Sequence, residues 1–141
     1  MIVQPYVFFS GRCEEALQYY TESLGAEVVF KMHFKDAPPD AERPVRPGTE
    51  DKVMHVQFRI GSTEVMASDG NCDPSNDTHS GFSLALTADD APSGERMFQA
   101  LADGGQVMMP WQATFWTTGF GMLSDRFGIP WMVMVRAEPP A

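Results

Sequence analysis

The chain has 141 residues, 43% of them hydrophobic, with 19 acidic against 10 basic side chains and a net charge of −9. That length suits one structural domain, or two small modules sharing it, and an acidic balance with no cluster of Lys or Arg argues against capture of nucleic acid or of an anionic membrane surface. The longest apolar runs, VMMPW and PWMVMV, fall far short of the ~20 residues that cross a bilayer, and MIVQPYVFF carries no basic leader, so a cytoplasmic protein with no membrane or nucleic-acid partner is expected.

QPYVFF opens the chain as a strand. In the segment that follows, Ser10 or Gly11 can start a helix, Glu14 and Glu15 sit in its first turn, and Leu17, Tyr20 and Leu24 recur at helical spacing before Gly25 stops it. A strand over 26–34 comes next, then a Pro-rich polar loop over 36–51, long enough for a lid or for an inert excursion. KVMHVQFRIGSTEVMASD reads as a hairpin turning at Gly61-Ser62. Its period of two places Met54, Val56, Phe58 and Ile60 under the helix and His55, Gln57 and Arg59 on the other face.

The order then repeats. GFSLALTADDAPSGERMFQALADGGQVMMP gives strand, acidic turn, amphipathic helix over 93–103, Gly stop and strand, and GAEVV and GGQVM mark equivalent points roughly eighty residues apart. GFGMLS, a turn at Asp125-Arg126-Phe127-Gly128, and IPWMVMV complete the second half. The expected class is α+β: a β-α-β-β-β module over 1–69, a polar linker over 70–80, a second module over 81–136 and a tail over 137–141. A single helix covers only one face of each twisted sheet. Two curled mixed sheets with the helices outside would form a cup, and His55, Gln57 and Arg59 would face it.

Three stretches, PYVFFSGRCEEALQYYTESLGAE, KVMHVQFRIGSTEVMASD and ATFWTTGFGMLSDRFGIPWMVMV, carry a resemblance to the vicinal oxygen chelate superfamily of glyoxalases, bleomycin-resistance proteins and extradiol dioxygenases. More narrowly the chain resembles the PhnB-like branch, often labelled by similarity to a demethylubiquinone methyltransferase. The resemblance implies paired β-α-β-β-β modules and a homodimer. It leaves the chemistry open, since one fold hosts many reactions. Metal-dependent relatives hold a divalent ion on an inward residue of the first and last strand of each module. Those positions correspond to Gln4, Met66, Ser83 and Met132, with Tyr6 or Phe82 in place of Gln4 or Ser83 if the register slips. The set has no carboxylate and no imidazole, and a thioether is a poor ligand for Zn, Ni, Mg or Mn. No metal and no other cofactor is therefore expected.

Histidine is the side chain suited to proton transfer near neutrality, so His55 is the candidate catalytic group, against a structural role in hydrogen bonding to Gln57 or the backbone. Gln57 could orient a polar ligand or be satisfied across strands. Arg59 fits a cross-strand pair with Glu64 better than an anion site. His33 and His79 read as surface residues. Met66, Ser68, Tyr6 and Met132 would join the pocket, with Trp111, Phe115 and Trp116 as aromatic walls or, alternatively, as a plug or dimer contact. Most of the ten methionines are expected in the core and about a third along a cavity. Cys13 and Cys72 are expected as reduced thiols.

Two functions remain open: a metal-independent enzyme on a small, partly apolar metabolite, with His55 moving a proton and Gln57 positioning, or a binding protein that sequesters a ligand like the drug-resistance members. No nucleophile triad, Gly-rich phosphate loop or nucleotide fingerprint supports covalent or nucleotide chemistry. Elemental analysis of protein purified without nickel resin should find well under one divalent ion per chain. One equivalent that survives substitution of Gln4, Met66, Ser83 and Met132 would place a site elsewhere.

Overall fold

Helix α1 (Cys13–Leu24) starts where the sequence turns amphipathic and ends at Gly25, whose φ of 69° lets its N–H reach back to the carbonyls of Tyr20 and Thr21. The computed structural model describes residues 1–38, 44–76 and 78–137, and the chain divides into two units, Met1–Asp77 and Thr78–Ala141. The division falls inside the segment expected as linker. Residues 39–43 of the expected lid loop and 138–141 of the expected tail lie outside the described residues. Among the described residues no helix is long and apolar enough to cross a membrane.

The first unit holds β1 (Tyr6–Phe8), α1, β2 (Glu27–His33), β3 (Val53–Ile60) and β4 (Thr63–Ser68). Its sheet has the order β1-β4-β3-β2, parallel between β1 and β4 and antiparallel elsewhere. The hairpin turns at Gly61-Ser62 between the paired residues Ile60 and Thr63. Under α1, Tyr20 stacks on Phe58 with ring centroids 6.3 Å apart and meets Phe9 at 6.1 Å. Val56 and Phe58 are buried there as the alternation requires, but Met54 and Ile60 are only half-buried, and Val53 takes the core position instead. The register explains the exchange: Met32 faces His55 while His33 faces Val53. Met54 is the extra residue of a bulge, which breaks the period of two at the strand's start.

One carboxylate ties these pieces together. Asp69, 1% exposed, accepts the backbone N–H groups of Gly11 at 2.9 Å and Cys13 at 2.8 Å on Oδ1, and that of Val53 at 2.8 Å on Oδ2. No residue of α1's own N-cap offers a side-chain acceptor, so Asp69, 56 residues downstream of Cys13, supplies the cap that the helix start needs. The end of β4, the start of β3 and the entry of α1 meet at a single side chain.

The second unit repeats the order with β5 (Leu84–Ala88), α2 (Ala91–Ala102), β6 (Gln106–Gln112), β7 (Phe120–Ser124) and β8 (Pro130–Val135) in the sheet order β5-β8-β7-β6. Here α2 is capped locally: Asp90 accepts from the Ser93 N–H at 2.8 Å, with Pro92 in the first turn. Helix α2 therefore begins at Ala91 rather than at Ser93. Asp125 holds the turn between β7 and β8 through the N–H groups of Phe127 and Ile129 and the indole of Trp131. Asp125-Arg126-Phe127-Gly128 is thus a structural turn. Both sheets are open, with the helix side of each buried, and the architecture is the expected α+β pair of modules.

Methionine departs from expectation. None of the ten is among the buried hydrophobic residues of either unit, although Met is ordinarily one of the more buried residue types.

Asp69→Ala would leave three N–H groups without their acceptor, each costing about 1–3 kcal/mol when buried. Urea unfolding should show a loss of at least ~3 kcal/mol, and a smaller loss for Asp69→Asn, which keeps one carbonyl oxygen. An Ala variant within ~1 kcal/mol of the parent would mean that water replaces the carboxylate.

Candidate functional site

Side chains on the face of the first sheet away from α1 follow directly from the register. Tyr6 pairs with Met66, Met66 with Gln57 and Gln57 with Phe30, so these four share one face across all four strands. The adjacent row runs Phe8 to Ser68, then to His55 and Met32, His55 lying one step beyond the Val56–Ala67 pair. Tyr6, His55, Gln57, Met66 and Ser68, singled out from the sequence, therefore stand together. Phe8, Phe30 and Met32 join them and had not been singled out. Phe8 could have been found from its spacing of two from Tyr6, whereas Phe30 depends on a second bulge, between Val28 and Phe30.

The chemistry of this face centres on Tyr6 and His55. The phenol oxygen lies 3.0 Å from His55 Nδ1, and the Ser68 hydroxyl also hydrogen-bonds the phenol. Partial burial pushes the Tyr6 hydroxyl up from its ordinary value, with the Ser68 hydrogen bond pulling the other way and the Cys13 thiol adding to the rise. Tyr6 is therefore a neutral phenol at physiological pH. Its proton can be donated to Nδ1, which sets the neutral imidazole in the tautomer that carries hydrogen on Nε2. The rings of Tyr6 and Phe30 flank the imidazole, with centroids 5.6 and 6.3 Å away, and Phe8 lies 5.1 Å from Tyr6. Tyr6, Phe8 and Phe30 are all 40% or more exposed, so the aromatic surface around His55 is open to a ligand.

One row further along, the face turns polar. Arg59 and Glu64 are the expected cross-strand pair, with Nη2 and Oε1 3.1 Å apart. Gln57 donates its amide to the other Glu64 oxygen, and Gln4 hydrogen-bonds the same carboxylate. Hydrogen bonds from Arg59 and then Gln57 hold the Glu64 carboxyl below its ordinary value.

On the second sheet, Met132 lies directly opposite Ala85 on one side and Met122 on the other, and Met122 in turn opposes Met109. Met134 opposes Phe120, against whose ring Trp116 packs edge-on at 5.3 Å. Phe115 is fully exposed. Trp111 has a different place from the one expected. It packs on Phe98 of α2 with ring centroids 5.8 Å apart, in space left by Gly94 and Gly119, where a Cβ would strike the indole. Trp111 belongs to the helix side of its sheet, opposite to the face of Met132. A further bulge between Met109 and Gln112 moves it there.

The four positions expected from the sequence as counterparts of a metal site offer an amide at Gln4, a hydroxyl at Ser83 and thioethers at Met66 and Met132. Such a set does not fit Zn, Ni, Mg or Mn. The Tyr6 and Phe82 alternatives add no better donor. Glu64 is already engaged by Arg59, Gln57 and Gln4, and among the described residues no three or more His, Cys, Asp or Glu side chains are grouped to hold a metal.

Other titratable groups serve the scaffold. Glu14 binds both Lys31 at 3.0 Å and His33 Nε2 at 2.7 Å, joining α1 to the edge strand β2. Beside it a groove of about 430 Å³, lined by Leu17, Gln18, Thr21 and Val28 among others, lies between α1 and β2, apart from the Tyr6–His55 pair. Lys35 pairs with Asp51 at 2.7 Å, closing the base of the loop over 36–51. Cys13 and Cys72 are free thiols. Burial raises both above the ordinary thiol range, the Asp69 charge adding to each.

Comparison with known proteins agrees with this architecture. A family model described as 3-demethylubiquinone-9 3-methyltransferase matches residues 2–134. Protein YjdN of Escherichia coli K12 is 37% identical over 149 residues, covering 99% of each chain. Protein PA1353 from Pseudomonas aeruginosa is 38% identical and has a crystal structure similar at a TM-score of 0.82, over 98% of this chain and 99% of that one. A glyoxylase/bleomycin resistance protein/dioxygenase domain from a Frankia species shares the fold at a TM-score of 0.61 with 15% identity, over 99% and 94% of the two chains. Matched along almost its whole length, the chain belongs to the 3-demethylubiquinone-9 3-methyltransferase family, the branch to which its sequence motifs pointed, built on the glyoxalase-type α+β fold.

Proposed function

We infer that the open face of the first sheet binds a small, partly apolar molecule and that His55 transfers a proton to or from it, with Tyr6 as the group that orients the imidazole. The observation that carries this reading is the Tyr6–His55 hydrogen bond set among exposed aromatic rings. A ring system packs on Phe8 and Phe30, while its polar end meets Nε2 of His55 and the amide of Gln57. Because Glu64 holds that amide, Gln57 offers a ligand a fixed dipole rather than a mobile one. Met66 and Ser68 complete this face, and the second unit has an apolar ligand-binding surface of its own in Met132, Trp116 and Phe115. Trp111 is left out of the set, since it fills the helix side of its sheet. The chemistry needs no metal.

A second reading is favoured by the placement of methionine. All ten lie outside the buried core, where flexible thioethers adapt to varied ligands. A protein that only sequesters such a molecule would need these walls and no proton transfer.

A metabolite library screened by melting temperature finds the ligand first, because binding to the folded state raises stability. Mass spectrometry on each hit then separates the readings. His55→Ala should lower turnover by about 10²-fold or more while affinity stays within about tenfold, since a proton-transfer group acts chiefly in the transition state. Tyr6→Phe keeps the ring but loses the hold on Nδ1, and should give a smaller loss of turnover. If no hit is turned over and His55→Ala loses affinity instead, the sequestering protein is correct.

The apolar side chains left exposed, Val28 and Val29 on β2 and Val107 and Met108 on β6, support a homodimer. Light scattering at high micromolar concentration should return twice the chain mass, and a monomer there would refute the pairing.

A further inference from the structure

The open face of the second sheet carries an unusual choice of residue. Met109, Met122 and Met132 stand directly opposite one another on the adjacent strands β6, β7 and β8, and Met134 follows Met132 two residues along β8 on the same face. The helix side of β7 and β8 is built from Leu123, Trp131, Val133 and Val135, with no methionine. Apolar area alone does not require this segregation, because leucine or valine would supply it on either face. What methionine adds is a sulfur atom.

We propose that Met109, Met122 and Met132 form a site for a soft monovalent cation, Cu(I) or Ag(I), held by their three thioethers. Directly opposed residues on neighbouring strands have Cβ atoms about 4.5–5.5 Å apart. Each methionine has three rotatable bonds beyond its backbone, so sulfurs from three strands can converge above the central one, Met122. Thioethers are uncharged and soft: they select Cu(I) and leave Zn, Mg and Ca to harder donors. The ion keeps its single positive charge on such ligands. Phe120, opposite Met134 and next to Met122 by two residues, and Trp116 against it place aromatic rings beside the row, and ring faces attract a cation of this kind. Entry is open at the β6 end, where Met109 is 41% exposed.

The site is independent of the proton chemistry assigned to His55, which belongs to the other sheet. Its test uses the whole chain carrying Cys72→Ser, so that the partly accessible thiol cannot compete, Cys13 being fully buried. Under ascorbate, the protein should draw one equivalent of Cu(I) from a chromogenic chelator. In Ag(I) titrations of protein labelled with ¹³C-methyl methionine, the resonances of Met109, Met122 and Met132 should shift together. Met122→Leu with Met132→Leu keeps the apolar volume nearly constant and should weaken binding by tenfold or more with the melting temperature little changed. No uptake from the chelator, unchanged affinity in the double variant, or shifts confined to other methionines would each overturn the assignment. Should the double variant fail to fold, the methyl shifts of the parent protein decide alone.

Discussion

The Asp69 carboxylate is the constraint on which the first unit depends. A helix entry and a strand start each expose backbone donors that water cannot reach once they are packed together. One buried anion accepts three of them, and in doing so fixes how β4 leaves the sheet, where β3 begins and where α1 points. Cys13, at the first position of the helix, is buried beside it, which explains why that thiol is held protonated rather than reactive. The second unit solves the same problem with two carboxylates, Asp90 for the helix start and Asp125 for the β7–β8 turn. Similar strand order thus rests on different polar anchors.

With the helix side of each sheet closed, the other face is free to carry chemistry. On the first sheet the rows change character along the strands, from Phe8, His55 and Met32, through Tyr6, Gln57 and Phe30, to the Arg59–Glu64 pair. Charge is confined to one end, where Arg59 pairs with Glu64. The imidazole sits among rings, oriented by a phenol that burial keeps protonated. On the second sheet the corresponding face is dominated by thioethers, a softer and more adaptable surface. Glyoxalase-type folds present such faces wherever a single helix layer leaves half of a sheet uncovered.

Much of this was legible in the sequence because β-strands and helices impose their periods on it. Alternation in β3 put His55 and Gln57 on one face, and the two-residue turn at Gly61-Ser62 then brought Met66 and Ser68 beside them. Gly25 marked the end of α1 because only a left-handed residue closes that helix. The Arg59–Glu64 pair followed from counting back from the turn. Register between distant strands was another matter. Bulges at Val29, at Met54 and between Met109 and Gln112 add single residues that no composition signal reveals, and each one moves side chains between faces. That is why Val53 replaced Met54 in the core, why Phe30 reached the His55 face unannounced, and why Trp111 turned toward α2.

By itself, then, the sequence determined the repeated module, its helices, its hairpin and the polar residues of one sheet face, since all of these depend on contacts between near neighbours. Only the tertiary structure decided that Asp69 would cap a helix begun 56 residues earlier, that Tyr6 would meet His55 at a separation of 49, and that three methionines would line up across β6, β7 and β8. Those contacts join strands whose pairing is set by packing of the whole unit, and a periodic pattern carries no record of which strand lies beside which.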